Sequence, residues 1–434
     1  MILIKKSVNI LWKGKIKMLN PKTNERELAY VVYVDAIEPI PGRDRVVCAR
    51  VGGWTCMVRK DAFQVGDPAI YFEIDSQVPL DNPIFEFCAK YKGHIKTQKF
   101  KTPDGQFWSQ GLLMAAQDFG WKIGWAQFAG DFGYIVDDEG VQYIPGDESA
   151  FLTEKLKVTY YEVEDNKRKA KTNPDAKINA ALARHPKIAK RWGKTIKNKR
   201  WLRWIFLAIF GRKKDIRKWP AWVVKTDEER VQNMPWILND KSEWYATEKI
   251  DGTSTTFTMK GFGRKREFYV CSRNVVFDTP NKNCYYDTNV YLEMAEKYNI
   301  KAVLADILDT CKEVLDFVTI QGETYGEGIQ KRDYHLKEHR LMAFNLIYGF
   351  KDGTVRRLNP REMTDILEPL GVPCVPIVHE HFILPDTIEE LLEIATSSSC
   401  IDEDMREGLV FRSRDGAQSF KAVSNEFLMK YHNG

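Results

Sequence analysis

The sequence predicts an α+β protein in two parts, a strand-rich module first and a mixed helix–strand domain after it. Three observations carry this expectation. The 434 residues are enough for two or three domains. Short β-branched and aromatic segments separated by Gly/Pro turns dominate residues 27–165, whereas helical spacing alternates with strands over 219–434. Between them, residues 166–218 hold nineteen Lys/Arg against two Asp, so a local charge of +17 sits in a chain whose net charge is only +5. The remainder is therefore acidic, and a polyanionic partner is to be sought at that segment first.

Composition narrows the class. With 44% hydrophobic and 29% charged residues the chain can build a core. Its longest apolar run, Trp204 to Phe210, is far short of the ~20 residues that span a bilayer, so no stable membrane insertion is expected. No apolar segment with a small-residue cleavage site follows the N-terminus. The eight cysteines are scattered without C-x-x-C spacing, which suits reduced intracellular thiols rather than a disulfide framework or a zinc site.

The elements follow in order. Residues 1–26 are basic and weakly patterned and are expected as a tail. In 27–165, Leu28–Ile37 reads as one strand, Pro39-Ile40-Pro41-Gly42 as a turn, and Arg45–Val51 with Thr55–Val58 as a hairpin around Gly52-Gly53. Val65-Gly66-Asp67 turns into Ala69–Ile74, and Gln110-Gly111-Leu112-Leu113-Met114 begins another strand; such spacing suits a small barrel. In 166–218, Asn166–Lys171 reads as loop and Lys177–Trp192 has helical spacing. Arg200–Arg212 is an apolar stretch bracketed by arginines, a helix docked on its own protein in preference to a membrane-surface helix. In 219–434, Tyr286–Asn299 and Val303–Phe317 read as helices. Asn359-Pro360-Arg361-Glu362 supplies a cap, a first-turn proline and a capping-box glutamate, with Gly371 ending that helix. Asp386-Thr387-Ile388-Glu389 opens another helix, and Phe317–Gly322, Leu341–Ile347 and Gly408–Arg412 read as strands.

Chemistry concentrates in the last domain. Thr247-Glu248-Lys249-Ile250-Asp251-Gly252 places a lysine beside a glycine turn at a strand end, where its amine could form a phosphoramidate with a nucleotide α-phosphorus. The tetrapeptide alone recurs by chance. It is followed, in order, by Ser272-Arg273-Asn274, by Gly322-Glu323-Thr324-Tyr325-Gly326, by Phe344, by Glu407-Gly408-Leu409-Val410 and by Ser419-Phe420-Lys421-Ala422-Val423, each at or beside a strand. This ordered set resembles motifs I, Ia, III, IIIa, IV and V of the covalent nucleotidyltransferases, the ATP-dependent DNA and RNA ligases and mRNA capping enzymes. In DNA ligases and capping enzymes an OB domain follows motif V; here thirteen residues follow Lys421, and the β-rich module precedes Lys249. That order resembles the fifth RNA ligase family, the Deinococcus–Naegleria type. Lys225–Asn233, Val65-Gly66-Asp67 with Tyr71–Asp75, and Ser109–Leu112 fit the same family.

The resemblance implies an N-terminal OB-like β-barrel module over 27–165 and a C-terminal nucleotidyltransferase (adenylyltransferase) domain over 219–434, joined by a basic linker or insertion at 166–218. It implies that Lys249 attacks ATP and carries AMP. Glu323 would bind a ribose hydroxyl, Arg273 the sugar or a substrate phosphate, Phe344 the adenine and Arg230 a phosphate. Glu407 would hold Mg²⁺ or Mn²⁺ and Lys421 would contact the α-phosphate. Glu248 would line the adenine pocket or serve as a plain strand-end acid, and Asp251 would shape the turn. The implied reaction seals RNA 3′-OH and 5′-phosphate ends, at a nick held in duplex, through a lysyl-AMP intermediate and an adenylylated 5′ end. The enzyme is expected as a monomer, cytoplasmic or phage-encoded and acting in a host cytoplasm. A catalytically inactive RNA-binding relative and a DNA ligase or capping-type enzyme are the alternatives.

Two features depart from the family. Some relatives have a K-x-K pair in motif V, where Lys421 is here followed by Val423, and Lys430 stands further on. Segment 166–218 is longer than the usual connection; it could bind RNA backbone, with Trp192, Trp201 and Trp204 stacking on bases or packing in a core. His335 and His339 have i, i+4 spacing without a third ligand and make no metal site by themselves. His379 and His381 alternate in a strand-like stretch and read as surface residues.

Overall fold

The computed structural model describes residues 20, 26–126, 132–146, 148–161, 178, 182, 185–210, 219–273, 275–277 and 289–432. The N-terminal module is built on the antiparallel sheet of Ala29–Tyr33, Pro68–Phe72 and Leu112–Met114, with Pro68–Phe72 central. The first two strands are buried on both faces, and alternation divides their side chains between two cores. Ala29, Val31, Ile70 and Phe72 join one with Phe85 and Ile135. Tyr30, Val32, Ala69 and Tyr71 join the other with Trp54 and Val58.

The expected hairpin forms from Arg43–Val51 and Trp54–Arg59. The strand expected over Leu28–Ile37 is instead two, Ala29–Tyr33 and Ala36–Ile40, in different sheets. The chain breaks at Val34 and Asp35 because Asp35 turns away to accept from Gly52 N at 2.6 Å. Gly53 is needed where the module meets the rest of the chain. Its N–H donates to Gln232 O at 2.8 Å, and a Cβ there would lie 2.7 Å from Gln232 Cα.

The C-terminal domain has two antiparallel sheets. One runs Ile377–Ile383, Glu243–Lys249, Gly408–Ser413, Ser419–Val423; the other runs Val276–Phe277, Glu267–Cys271, Thr253–Lys260, Leu315–Gly326, His339–Phe350, Val355–Arg357. The helices Val290–Lys297 and Ile300–Thr310 pack into the core of the six-stranded sheet through Val290, Met294, Leu304 and Leu308. Ile388–Ala395 covers the four-stranded sheet, with Leu391 and Ala395 against Trp244 and Phe411. Asn359 and Glu362 make the expected reciprocal cap on Pro360–Leu367. The helix expected over Val303–Phe317 ends at Thr310, and its last three residues open the strand Leu315–Gly326. The strand is favoured there because Leu315, Val318 and Ile320 bury side chains in the sheet core, continuing a β-branched run.

The two domains are joined by a buried polar network. Arg26, at the end of the segment expected as a tail, is 9% exposed and pairs with Glu73 at 2.8 Å and Glu229 at 3.3 Å. Asn233 donates to Glu73 at 2.8 Å and accepts from Trp54 Nε1 at 2.6 Å. Val423 and Leu428 complete the module's second core. Of the basic segment, the described parts form the helices Pro186–Asn198 and Arg200–Phe210. Asn166–Lys171 lies outside the described residues, as do most of 177–184 and Arg212. Among the described residues no helix is long and apolar enough to cross a membrane.

Candidate active site

The site is the pocket between the two C-terminal sheets. Glu243–Lys249 and Thr253–Lys260 are consecutive strands in different sheets, and Ile250-Asp251-Gly252 carries the chain across. Gly252 is required for the approach: a Cβ there would lie 2.4 Å from Thr324 O and 2.9 Å from Glu323 Cγ. Lys249 is thereby held beside the strand that bears Glu323. Pairing of Lys249 with Gly408 brings Glu407 alongside.

The pocket, about 340 Å³, is lined by Glu248, Lys249, Arg273, Glu323, Phe344 and Lys421, together with Asp227, Thr247, Val375 and Arg412. Six of the sequence-expected residues thus converge on one cavity from separate strands and loops; Glu407 does not line it and meets Lys249 from beside it. Lys249 Nζ donates to Glu407 Oε2 at 2.7 Å, with the lysine side chain 24% and the glutamate 9% exposed. Burial pulls the Lys249 pKa down, but attraction to Glu407 and Glu323 outweighs it, so the amine is held above its usual value. Burial drives the Glu323 carboxyl up to about 8, against the pull of Lys249. Burial also brings Lys421 down to about 8, with Arg26, Arg230 and Lys249 adding repulsion and Asp227 opposing them.

Arg230 does not line the pocket. Its guanidinium donates to Asp75 of the N-terminal module at 2.9 Å, and its backbone bridges Lys421. Glu248 is 1% exposed and accepts from Ser399 Oγ at 2.5 Å and Cys400 N at 2.7 Å, so it also ties down the 399–400 turn. Lys430 lies by Tyr431 and does not line the pocket.

Among the pocket residues that escaped the sequence reading are Asp227 and Arg412. Asp227 binds both Lys421, at 3.3 Å, and Arg273, at 2.8 Å. Burial raises its pKa, but Lys421, Arg26 and Arg273 overcome this and hold the carboxyl well below the usual range. Arg412 is 2% exposed and donates to Asn345 Oδ1 at 3.0 Å and Thr247 Oγ1 at 3.3 Å. The module reaches the site too, since Arg273 lies over the Tyr160 ring at 5.3 Å. His335 and His339 do not pair: His339 binds Glu293 at 2.9 Å, and His335 sits by Asp404 at 3.2 Å in a group with Asp402, which Arg332 already neutralises. His379 and His381 are exposed on the strand Ile377–Ile383.

Comparison with known proteins decides the family. Residues 242–432 match the family model described as RNA ligase, and residues 28–115 match an OB-fold domain model. Residues 242–432 form a domain of the RNA ligase family. The chain's two domains are an OB fold followed by the ligase nucleotidyltransferase domain. Among solved structures, the chain is similar to the Naegleria gruberi RNA ligase. A lysine-to-alanine variant with ATP and Mn is 25% identical, with a TM-score of 0.65 over 94% of this chain and 98% of that one. A lysine-to-methionine variant with AMP and Mn gives 25% and 0.65 over 94% and 100%, and an arginine-to-alanine variant with ATP and Mn gives 26% and 0.66 over the same shares. No curated protein matches in a sequence search.

Proposed function

We propose that this ligase uses ATP to seal RNA 3′-OH and 5′-phosphate ends through an adenylate on Lys249. The observation that carries the reading is Lys249, paired with Glu407 and lining a pocket that also gathers Glu323, Arg273, Phe344 and Lys421. The similar Naegleria gruberi structures hold ATP or AMP with Mn, which supports the choice of nucleotide and a divalent cation.

In the first step the free amine of Lys249 forms a bond to the ATP α-phosphorus as the bond to pyrophosphate breaks. The amine is protonated while it is paired with Glu407, so it must lose that proton to become a nucleophile. Lys421 and Arg273 supply positive charge for the phosphates, and phosphoryl transfer depends chiefly on such placement. Glu323, with its raised pKa, can donate as well as accept a hydrogen bond and suits a ribose hydroxyl. Phe344, partly buried against Val375 and Tyr325, offers an apolar face to a base. In the second step the 5′-phosphate of RNA takes AMP from Lys249, restoring the amine. In the third, the 3′-hydroxyl attacks that phosphorus and AMP leaves.

The residues fit a hard divalent cation. Glu407, Glu323 and Asp251 all act on the Lys249 ammonium, and Asp251 Oδ2 is buried without a hydrogen-bond partner. Mg²⁺ or Mn²⁺ held by Glu407 would neutralise phosphate charge and draw that carboxylate from Lys249. A nicked duplex is the substrate we favour, with the OB module on the A-form helix. The enzyme acts as a monomer in a reducing intracellular compartment, which suits the free Cys48, Cys56, Cys88 and Cys374. Incubation with α-labelled ATP and a divalent cation, followed by nicked RNA, should label the chain and then discharge it. Label that nicked RNA cannot discharge would remove RNA joining from the proposal.

A further inference from the structure

The basic segment between the domains builds a small unit of its own. Pro186–Asn198 and Arg200–Phe210 are two helices separated by Lys199 alone. They close on a separate core of Ile178, Leu182, Ile196 and Phe206, with Ile188, Ala189 and Leu207 against it. Yet three tryptophans face outward: Trp192 is 53%, Trp201 61% and Trp204 73% exposed. Elsewhere Trp54, Trp121 and Trp244 are buried, as large aromatics usually are, and Trp125 is 53% exposed.

The charge around them has one sign. Residues 185–210 contain eight Lys/Arg and neither Asp nor Glu. Lys190, Arg191, Lys194, Lys197 and Arg200 are exposed. No described carboxylate makes an ion pair with any of these five. Arg191 lies 5.9 Å from the Trp192 ring. Trp201 and Trp204 stand three residues apart, on one helix face, about 4.5 Å along the axis.

We propose that this helical pair is a second RNA contact outside the active-site pocket, taking a single-stranded stretch of the substrate. The inference rests on the reading of the chain as an RNA ligase. Aromatic rings stack on unpaired bases whatever their sequence, while lysines and arginines between them meet the phosphates. A membrane surface would want one continuous apolar face. Here Phe206 and Leu207 turn inward, and the outward face mixes Trp201, Trp204 and Ile205 with Arg200, an apolar strip interrupted by charge.

The test uses the full chain in two variants, Trp201→Ala/Trp204→Ala and Lys190→Gln/Arg191→Gln/Lys194→Gln/Lys197→Gln. These side chains are exposed and outside the pocket, so adenylation of Lys249 should proceed at the parent rate in both. Binding is read by fluorescence anisotropy with nicked RNA carrying a single-stranded extension, and with the same RNA lacking it. The tryptophan variant should bind the extended RNA about 5- to 100-fold more weakly per ring that stacks, and the unextended RNA nearly as the parent does. The charge variant should make the slope of log affinity against log salt shallower by about 0.7 for each phosphate it no longer neutralises. Unchanged affinity and salt slope in both variants, with adenylation intact, would overturn the proposal. Loss of binding to phosphatidylserine vesicles with RNA affinity preserved would also overturn it, and would assign the helices to a membrane surface. Failure of the parent to form an adenylate is a separate outcome, counting against the ligase chemistry.

Discussion

Replacing Glu407 by Gln should move two properties of Lys249 in opposite directions. The carboxylate is the nearest opposite charge to the lysine, at 2.7 Å, and a main reason its pKa is raised. Losing an opposite charge at this range typically lowers an amine by about 1–3 pKa units. Lys249 in the variant should therefore react at least about 10-fold faster with an amine-selective reagent at pH 8, measured by mass spectrometry of the peptide that contains it. Adenylation should nevertheless fall by about 10²–10³, because the same carboxylate is assigned the divalent cation. Quenched-flow measurement with labelled ATP across a Mn²⁺ series reads that loss. Faster adenylation in step with faster chemical labelling would refute the reasoning. It would mean that Glu407 only restrains the lysine.

Further outcomes follow from the same geometry. Gly252→Ala places a methyl 2.4 Å from Thr324 O, so the turn that carries Lys249 must shift off the strand Leu315–Gly326; we expect about 1–3 kcal/mol lost in urea unfolding and adenylation slowed about 10²-fold. The Lys421 pKa of about 8 means that the ammonium needed for phosphate is lost as pH rises through that value. Pyrophosphate affinity should therefore fall above pH 8, and binding near pH 8.5 should take up a proton, seen by calorimetry in buffers of different ionisation enthalpy. Arg26→Ala leaves Glu73, 1% exposed, without its ion pair; breaking such a buried pair costs about 3–5 kcal/mol, which a thermal melt should detect.

Much of the fold could be read from the sequence because its signals are local. The lysine at a strand end before Gly252, the Asn359–Glu362 cap and the Gly52-Gly53 hairpin each need only a few adjacent residues. The order of Arg273, Glu323, Phe344, Glu407 and Lys421 along successive strands extended that to a full site. What escaped depends on pairs distant in the chain. Asp227 meets Lys421 across 194 positions, and nothing around it distinguishes it from its acidic neighbours. Arg412 in a β-strand looks like a surface residue until Asn345 and Thr247 close over it. Arg230 shows the converse: its segment was recognisable, but only the packed structure directs its guanidinium to Asp75 in the other domain. The helix end at Thr310 was lost because Leu308, Cys311, Leu315 and Val318 continue a helical spacing, while only the register shift between Leu315 and Phe317 brings Leu315 to the same core as Val318 and Ile320.

The most direct measurement of the central claim is transfer of label from α-³²P ATP to the denatured chain, with Lys249→Ala in parallel. The structure leads us to expect a labelled parent in Mg²⁺ or Mn²⁺, discharge by nicked RNA bearing a 5′-phosphate, and no label in the variant. Label that persists without the Lys249 amine, or a parent that takes up none with either metal, would contradict the assignment of Lys249 as the nucleotide-carrying residue.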